Sequence, residues 1–226
     1  DFELGWRSKN EILKLNTNIY YMNYKNQLVL TGAIDDVGAP IRTTSGSSYR
    51  LGIEIDADIR LSDQFSISSN AALSSNKNRD FFLTRDGKDT PQSLGNTDLS
   101  FSPEMVLGNI IAYQPKENIQ ISFLSKYVGK QMMSNYSSAI STNDILNSFF
   151  TSDLNVVYEI QPNSIFKSVM FSALINNIFN KEYVDRGYYY TYDDTWSAPG
   201  MKITVDGAGY YPQATRNFLV GVTLKF

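Results

Sequence analysis

The sequence predicts an all-β chain that forms part of the wall of a transmembrane antiparallel β-barrel. Three observations predict this fold: apolar and polar residues alternate almost throughout, the alternating segments are long, and tight connections alternate with long ones. A soluble antiparallel sheet also alternates, but its strands are usually about 5–6 residues long. A strand that crosses a bilayer needs about 9–11 residues, and outer-membrane barrels place short turns at one rim and long loops at the other.

The clearest strand is "SYRLGIEIDADIRL", residues 48–61, whose two faces differ in chemistry. A basic side chain on the lipid face of a barrel costs about 2–4 kcal/mol at the bilayer midplane, so the charged face must point to a wet lumen. The lipid-facing residues are then Ile53, Ile55 and Ile59, and the lumen-facing residues are Glu54, Asp56, Asp58 and Arg60.

Eight further segments complete a meander of about nine strands, partly closed as a barrel. They span residues 1–7, 12–23, 65–74, 104–113, 119–127, 150–160, 168–179 and 217–226. Several tyrosines near strand ends are predicted to form the interfacial girdles of such a wall. These are Tyr20, Tyr21, Tyr24, Tyr113, Tyr127 and Tyr158.

The connections fall into two classes that follow each other strictly along the chain. The tight turns are residues 8–10, 62–64, 115–118 and 162–164, and the long loops are 31–46, 77–102, 132–148 and 181–212. We therefore expect Asp36, Asp86, Asn143 and Asp194 to share one rim and Asp63 to lie at the other. The first and last strands run the same way, so an open sheet is expected.

The composition argues against an enzyme and against a nucleic-acid partner. The chain has no His and no Cys, which removes the usual catalytic triads and dyads. Net charge is −3, so there is no basic stripe to neutralise phosphates. No cofactor and no metal site are predicted. The pair Asp193-Asp194 leaves open an oxygen-ligand Ca²⁺ site, against the simpler interpretation of solvated loop acids.

Two stretches near the end carry a family resemblance: "SALINNIFNKEYVDRGYYY" (172–190) and "YYPQATRNFLVGVTLKF" (210–226). They resemble the C-terminal signature of TonB-dependent receptors of Gram-negative outer membranes, in the style of Bacteroidetes. The matching residues are Asn177, Ile178, Phe179, Asn180, Lys181, Tyr183, Pro212, Arg216, Asn217, Phe218, Gly221 and Phe226. The resemblance implies a 22-stranded barrel closed by an N-terminal plug that a TonB box precedes. Residues 1–226 would then be a single C-terminal barrel segment without plug or TonB box, unable alone to perform gated transport.

The resemblance implies an outer-membrane receptor for uptake of a scarce nutrient: a siderophore, haem, a corrinoid or an oligosaccharide. Its partners would be outer-membrane lipid, the ligand, TonB through the missing N-terminal region, and the barrel-assembly machinery, which would read Phe218, Leu224 and Phe226. A passive porin is the alternative within the same fold. A soluble β-rich binding module is the alternative outside it.

One aromatic loop is the candidate ligand-binding segment, since exposed aromatics are otherwise a liability. It is "GYYYTYDDTW", residues 187–196, with Arg85 of another long loop as a further candidate. The simpler interpretation is a loop that packs on its neighbours. The residues singled out are Tyr188, Tyr189, Tyr190, Tyr192, Trp196 and Arg85.

Overall fold

A computed structural model describes residues 1–136, 143–162 and 165–226. These residues form β-strands, turns and irregular segments, and none of them belongs to a helix long and apolar enough to cross a membrane. The strands are β1 (Phe2–Lys9), β2 (Leu13–Lys25), β3 (Leu28–Ile34), β4 (Pro40–Thr44), β5 (Ser47–Arg60), β6 (Phe65–Arg79), β7 (Phe82–Leu83), β8 (Gln92–Ser93), β9 (Thr97–Asp98), β10 (Met105–Lys116), β11 (Ile119–Val128), β12 (Gln131–Met132), β13 (Ile145–Leu146), β14 (Phe149–Ile160), β15 (Ser168–Asn176), β16 (Val184–Asp194), β17 (Ile203–Pro212) and β18 (Asn217–Lys225).

Nine of these strands form one continuous antiparallel sheet, which we call the wall. Its order is β1-β2-β5-β6-β10-β11-β14-β15-β18, and the short strand β9 also pairs with β6. All nine predicted strands are confirmed. Within the described residues β1 and β18 are the sheet edges and do not pair with each other. Since every neighbouring pair is antiparallel, the two edges run in the same direction, and the expected open sheet is confirmed.

The strand register separates the wall into an apolar and a polar face. Ile19, Ile53 and Leu73 lie side by side across β2, β5 and β6. Three residues along β5, and so on the opposite face, Asp56 lies between polar partners on both neighbouring strands. The apolar face carries large exposed side chains, such as Val220 at 82% exposure. That is the pattern of a wall whose outer face is covered by lipid.

The predicted tyrosine girdle is only partly right. Tyr21 lies opposite Leu51 on the apolar face, whereas Tyr20 lies opposite Gly52 on the polar face, because successive side chains of a strand point to opposite sides. Tyr24 has the same parity as Tyr20 and also faces the lumen side. Their positions near a strand end place these three tyrosines near the rim, but only the register decides which face of the wall each one occupies.

The tight turns lie together at one rim, as predicted, but the bounds of the first turn differ from the predicted ones. The first turn contains residues 10–12 and not 8–10, because β1 continues to Lys9 and Asn10 Oδ1 accepts a 2.7 Å hydrogen bond from the Leu13 amide. At the second turn Arg60 pairs with Asp63 at 2.9 Å. The fourth predicted turn includes Asn163 and Ser164, which lie outside the described residues.

The long loops contain more regular structure than the sequence predicts. Strand β6 continues to Arg79, so the predicted start of the second long loop at residue 77 is wrong. Strands β16 and β17, of 11 and 10 residues, form a hairpin as long as the wall strands themselves. We call the segments 26–46, 80–104, 129–148 and 177–216 the head, with residues 137–142 outside the description.

The four head segments meet at the rim opposite the tight turns, as predicted. Strand β16 makes a parallel bridge to β3 at Thr191 and Ala33. The Asp86 amide donates to Thr204 Oγ1 at 2.9 Å, which joins the second segment to the fourth. Asn143 Nδ2 donates to Asp206 at 3.4 Å and brings in the third. These contacts place Asp36, Asp86, Asn143 and Asp194 in segments that touch one another, away from Asp63.

The head has its own small hydrophobic core. It consists of Val29, Phe81, Leu99 and Tyr136, one or more from each of three head segments, with Leu83, Leu94 and Tyr189 packed around it. The fully buried Asn135 ties the same segments together. Its Nδ2 donates to the Leu30 carbonyl at 3.0 Å, and its Oδ1 accepts from the Ser100 amide at 3.1 Å. The head is therefore a packed unit and not a set of independent loops.

Candidate functional site

A cavity of about 820 Å³ opens between the head segments. Strands β3 and β4 supply one side, residues 82–85 and Pro91 another, and the β16–β17 hairpin the third. Its lining includes three of the predicted binding residues: Arg85, Tyr192 and Trp196. The fold therefore brings together residues that are more than 100 positions apart in the sequence, at the rim opposite the tight turns.

Arg85 contacts the β16–β17 hairpin through one of its guanidinium nitrogens, and another has no partner among the described residues. Its Nη2 donates to the Thr204 carbonyl at 3.0 Å. Its Nη1 is buried and has no hydrogen-bond partner among the described residues. A buried guanidinium donor without a partner is costly, so this nitrogen is suited to meet an oxygen of a bound molecule.

The neighbouring Asp193 fixes this arrangement electrostatically. Asp193 accepts from Lys202 Nζ at 2.8 Å and from Thr204 Oγ1 at 2.8 Å. The hydrogen bond from Lys202 is the main cause that lowers the pKa of Asp193 below its ordinary value, with partial burial opposing it. Asp193 is thus an anion that holds Thr204, and Thr204 in turn holds Arg85.

The pair Asp193-Asp194 does not converge on a common point. Asp194 Oδ1 instead accepts from the amides of Trp196 at 2.9 Å and Ser197 at 3.0 Å, and so closes the turn after β16. A hydrogen bond from the Ser197 side chain is the main cause that lowers the pKa of Asp194, and the amide hydrogen bonds from Ser197 and Trp196 lower it further. Across the described ranges, no group of three or more acidic residues is arranged to hold a metal ion.

A ladder of aromatic rings runs along one face of β16. Tyr188, Tyr190 and Tyr192 are two residues apart and therefore point to the same side. Their ring centroids are separated by 6.1 and 6.5 Å, and Trp196 extends the series 5.9 Å beyond Tyr192 with an interplanar angle of 4°. Trp196 is 67% exposed, so the ladder ends in an open aromatic surface beside Arg85.

Two glycines of β17 make room for the ladder. A Cβ at Gly209 would lie 2.3 Å from the Tyr188 ring, and a Cβ at Gly207 would lie 2.7 Å from the Tyr190 ring. The rings therefore lie flat across the backbone of the neighbouring strand. The spacing "GAG" in residues 207–209 matches the "YYY" of residues 188–190, a pairing that only the register reveals.

Tyr189 lies apart from the other predicted aromatics. It points to the opposite face of β16, and its ring meets Tyr136 edge-on at 5.8 Å. Burial raises the pKa of Tyr136 well above its ordinary value, with the neighbouring Tyr189 as a second cause. The structure thus places Tyr189 against the head core, as the simpler interpretation of a packed loop expects, and the ladder on the other side.

Sequence reasoning missed Thr204, Lys202 and Tyr136 as parts of the site. Thr204 is 118 residues from its partner Asp86, and nothing in the local sequence marks that contact. The local sequence marks Asp193 only as half of an acidic pair. The residues "ITVDGAGYY" (203–211) include β-branched side chains, which are typical of a strand. Their two glycines weaken that strand pattern.

The sequence matches a family model described as TonB dependent receptor-like, beta-barrel, over residues 1–178. The chain belongs to the TonB-dependent receptor family. Members of this family are transport receptors of Gram-negative outer membranes, so the apolar face of the wall is the face that such a barrel turns to lipid. Comparison of the sequence with curated proteins gives no match.

Solved structures of similar fold include import receptors and transporters. The ferric-catecholate import receptor Fiu of E. coli K12, in its closed form, superposes with a TM-score of 0.65 at 17% identity, over 99% of this chain and 27% of that one. The ferric citrate transporter FecA gives 0.64 at 20% identity, over 99% and 30%. The siderophore receptor PiuA of Acinetobacter baumannii gives 0.63 at 17% identity, over 98% and 28%. The chain thus spans less than a third of these receptors.

Proposed function

We propose that this chain supplies part of the wall and the extracellular binding surface of a receptor for energy-coupled uptake of a scarce nutrient. The observation that carries the proposal is the cavity in the head. It combines a buried guanidinium nitrogen without a partner, on Arg85, with the exposed rings of Tyr192 and Trp196. An import receptor needs such a concave site with a few polar groups on the side that faces the medium.

The chemistry of the cavity favours a ligand that has both a flat ring and exposed oxygen atoms. The Tyr192 and Trp196 rings offer a stacking surface, and the Arg85 nitrogen donates to a carboxylate, phenolate or hydroxyl oxygen. Ferric catecholates, haem and corrinoids have both features, and oligosaccharides offer hydroxyl oxygens and a ring face that packs on aromatic side chains. Ferric-catecholate and ferric citrate are the ligands named for two of the similar receptors.

The whole receptor would add the parts that transport requires. Since the chain spans just over a quarter of Fiu, we propose that the remaining strands and a plug complete the barrel. Coupling to TonB would act through that other part. The chain considered alone, with two strand edges in one sheet, would then be the C-terminal segment of the barrel, embedded in the outer membrane.

Ligand binding by the full-length receptor tests the proposal. A panel of ferric siderophores, haem, cobalamin and oligosaccharides is screened by isothermal titration, and the ligand that binds is carried forward. We expect Arg85→Gln to weaken binding about tenfold or more, since a charged hydrogen bond contributes about 1.5–3 kcal/mol. The matched control is Arg186→Gln, because Arg186 pairs with Asp185 outside the cavity. Equal losses in both variants, or no loss in Arg85→Gln, would contradict the proposed site.

Uptake by cells separates this function from a passive pore. Cells that carry the receptor are given the ligand before and after the proton gradient is collapsed. An energy-coupled receptor stops accumulating ligand, whereas a porin continues to equilibrate it. Replacement of both Tyr192 and Trp196 by Ser should lower uptake while the receptor level in the membrane stays the same.

A further inference from the structure

The apolar face of the wall continues above the bilayer as a band of basic and polar side chains. Ten residues of β5 separate Ile59 from Tyr49, about 33 Å of strand, which at a tilt of about 40° spans the apolar band of about 25 Å. Tyr49 therefore marks the outer boundary of the lipid core. The next row on the same face, about 5 Å higher, is Lys25, Ser47 and Arg79, which the register places side by side on β2, β5 and β6.

Arg79 is fixed over the tyrosines that mark this boundary. Its Nη2 donates to the Tyr21 hydroxyl at 3.0 Å, and its guanidinium carbon lies 4.9 Å from the centre of the Tyr49 ring. These contacts hold the charged group at one height along the wall. A long basic side chain is thus held at the depth of the lipid headgroups.

A cavity of about 750 Å³ lies at the same place, on the outer side of the head. Lys25, Ser47 and Arg79 line it from the wall, and Ser45 lines it from the end of β4. Ser45 is 6% exposed, and its hydroxyl has no hydrogen-bond partner among the described residues. A buried hydroxyl without a partner, beside two cations, indicates a missing oxygen-rich ligand.

The charge around the cavity favours an anion. Neither Lys25 nor Arg79 forms an ion pair with a carboxylate within the described part of the chain, and Asp80 is the one acid in the lining. Lys77, one row below, is by contrast already paired with Asp98 and Glu104. The two cations of the upper row are therefore available to a ligand, whereas Lys77 is engaged by the protein itself.

The geometry points to a binding site for the phosphorylated headgroup of an outer-leaflet lipid at Lys25, Ser45, Ser47 and Arg79. The lipid chains would lie along the apolar rows below Tyr49, and a headgroup phosphate would accept from the two cations and the Ser45 hydroxyl. The site faces away from the ligand cavity of the head, so it does not depend on which nutrient is imported. Its role is to hold a lipid at the junction of wall and head.

Lipid retention by the full-length receptor tests this site. The receptor is reconstituted in phosphatidylcholine vesicles that contain diphosphoryl lipid A, returned to mild detergent, and analysed by native mass spectrometry for bound lipid. Each cation near a lipid surface contributes a several-fold gain in affinity, so the double variant Lys25→Gln with Arg79→Gln should retain about tenfold to thirtyfold less lipid A. The control is Lys14→Gln with Lys126→Gln, which removes two cations from the lumen face.

The outcomes separate the site from general charge effects and from a site for soluble phosphate. Unchanged retention in the control, together with loss in the double variant, supports the site. Equal loss in both variants, or loss in neither, overturns it. Displacement of lipid A by millimolar inorganic phosphate would overturn the lipid as the occupant. Heat-modified gel mobility checks that each barrel is folded, and Arg79→Gln alone, with a smaller expected loss, keeps the test open if the double variant fails to fold.

Discussion

The wall and the head are both built from β-strands, but they place their large apolar side chains in opposite ways. The wall turns large apolar side chains outward, and Phe218, Val220 and Val222 are all more than half exposed on the isolated sheet. The head turns them inward, and Phe81 and Tyr136 are almost completely buried. The solvent decides the difference, because lipid covers the apolar rows of the wall whereas water reaches the head from several sides.

Polar contacts show the same contrast. The wall is held by a regular ladder of backbone hydrogen bonds between neighbouring strands. The head is held by single side chains that link distant segments, such as Asn135 and Thr204. The wall should therefore resist loss of any one polar side chain, and the head should not.

The largest expected effect is a charge placed on the lipid face of the wall. We expect Ile53→Lys to lower the free energy of unfolding by about 2–4 kcal/mol, because Ile53 lies between Ile19 and Leu73 in mid-wall. Urea unfolding of the full-length receptor from lipid vesicles measures this. Glu54→Lys places the same charge one residue along, on the lumen face, and should cost less than about 1 kcal/mol. Equal costs would show that the two faces are not distinct.

The next effect concerns the head alone. We expect Asn135→Ala to destabilise the head by about 1–3 kcal/mol, because it leaves the Leu30 carbonyl and the Ser100 amide without their partner. Hydrogen exchange should show faster opening of the head amides and unchanged protection in the wall. The control is Asn96→Ala, since Asn96 is exposed. Loss of protection in the wall as well would mean that the two regions unfold as one unit.

A smaller effect is predicted for the end of the chain. Phe226 is exposed, and its ring lies 5.1 Å from that of Phe166. If Phe226 is read by the barrel-assembly machinery, together with Phe218 and Leu224 of the same strand, Phe226→Ala lowers the receptor level in the membrane several-fold. Phe166→Ala removes the same ring contact without touching the terminal residue. Immunoblots that show equal losses for both variants would assign the effect to the contact instead.

The smallest effect is a pH dependence within the head. The pKa of Asp193 is lowered in the folded state, chiefly by its hydrogen bond with Lys202. Its contribution is therefore fully present above the unfolded-state pKa, near 4, and is lost as the pH falls through the lower folded-state value. At neutral pH the amides of β17, which pairs with the strand that carries Asp193, should exchange more slowly in the unchanged protein than in Lys202→Gln, and the difference should vanish in strong acid. A difference that persists there would mean that Lys202 acts through another group.

The sequence predicts the wall well because each wall strand has lipid on one side and lumen on the other. That asymmetry forces alternation, and residues 48–61 show it without interruption. The alternation of apolar and polar residues does not extend above the membrane. In residues 75–79 of β6 both faces reach polar surroundings, so alternation disappears while the strand continues.

The head was predicted only in part, for two physical reasons. In "GYYYTYDD" nearly every residue is aromatic or polar on both faces, so the pattern cannot tell the ladder side from the core side that Tyr189 occupies. The contacts of Arg85 depend on Thr204, far away in sequence, and no local pattern encodes such a pair. Aromatic content and loop length predicted the region of the site, but not its partners.

Cysteine accessibility tests the central claim most directly, namely that this wall crosses the outer membrane with its head outside. The chain contains no Cys, so single substitutions report without background from these residues. A membrane-impermeant maleimide is added to intact cells that carry Asp86→Cys, Asp194→Cys or Asp63→Cys in the full-length receptor. We expect labelling at positions 86 and 194 in intact cells, and at position 63 only after the outer membrane is permeabilised. Labelling of Asp63→Cys in intact cells would contradict the account.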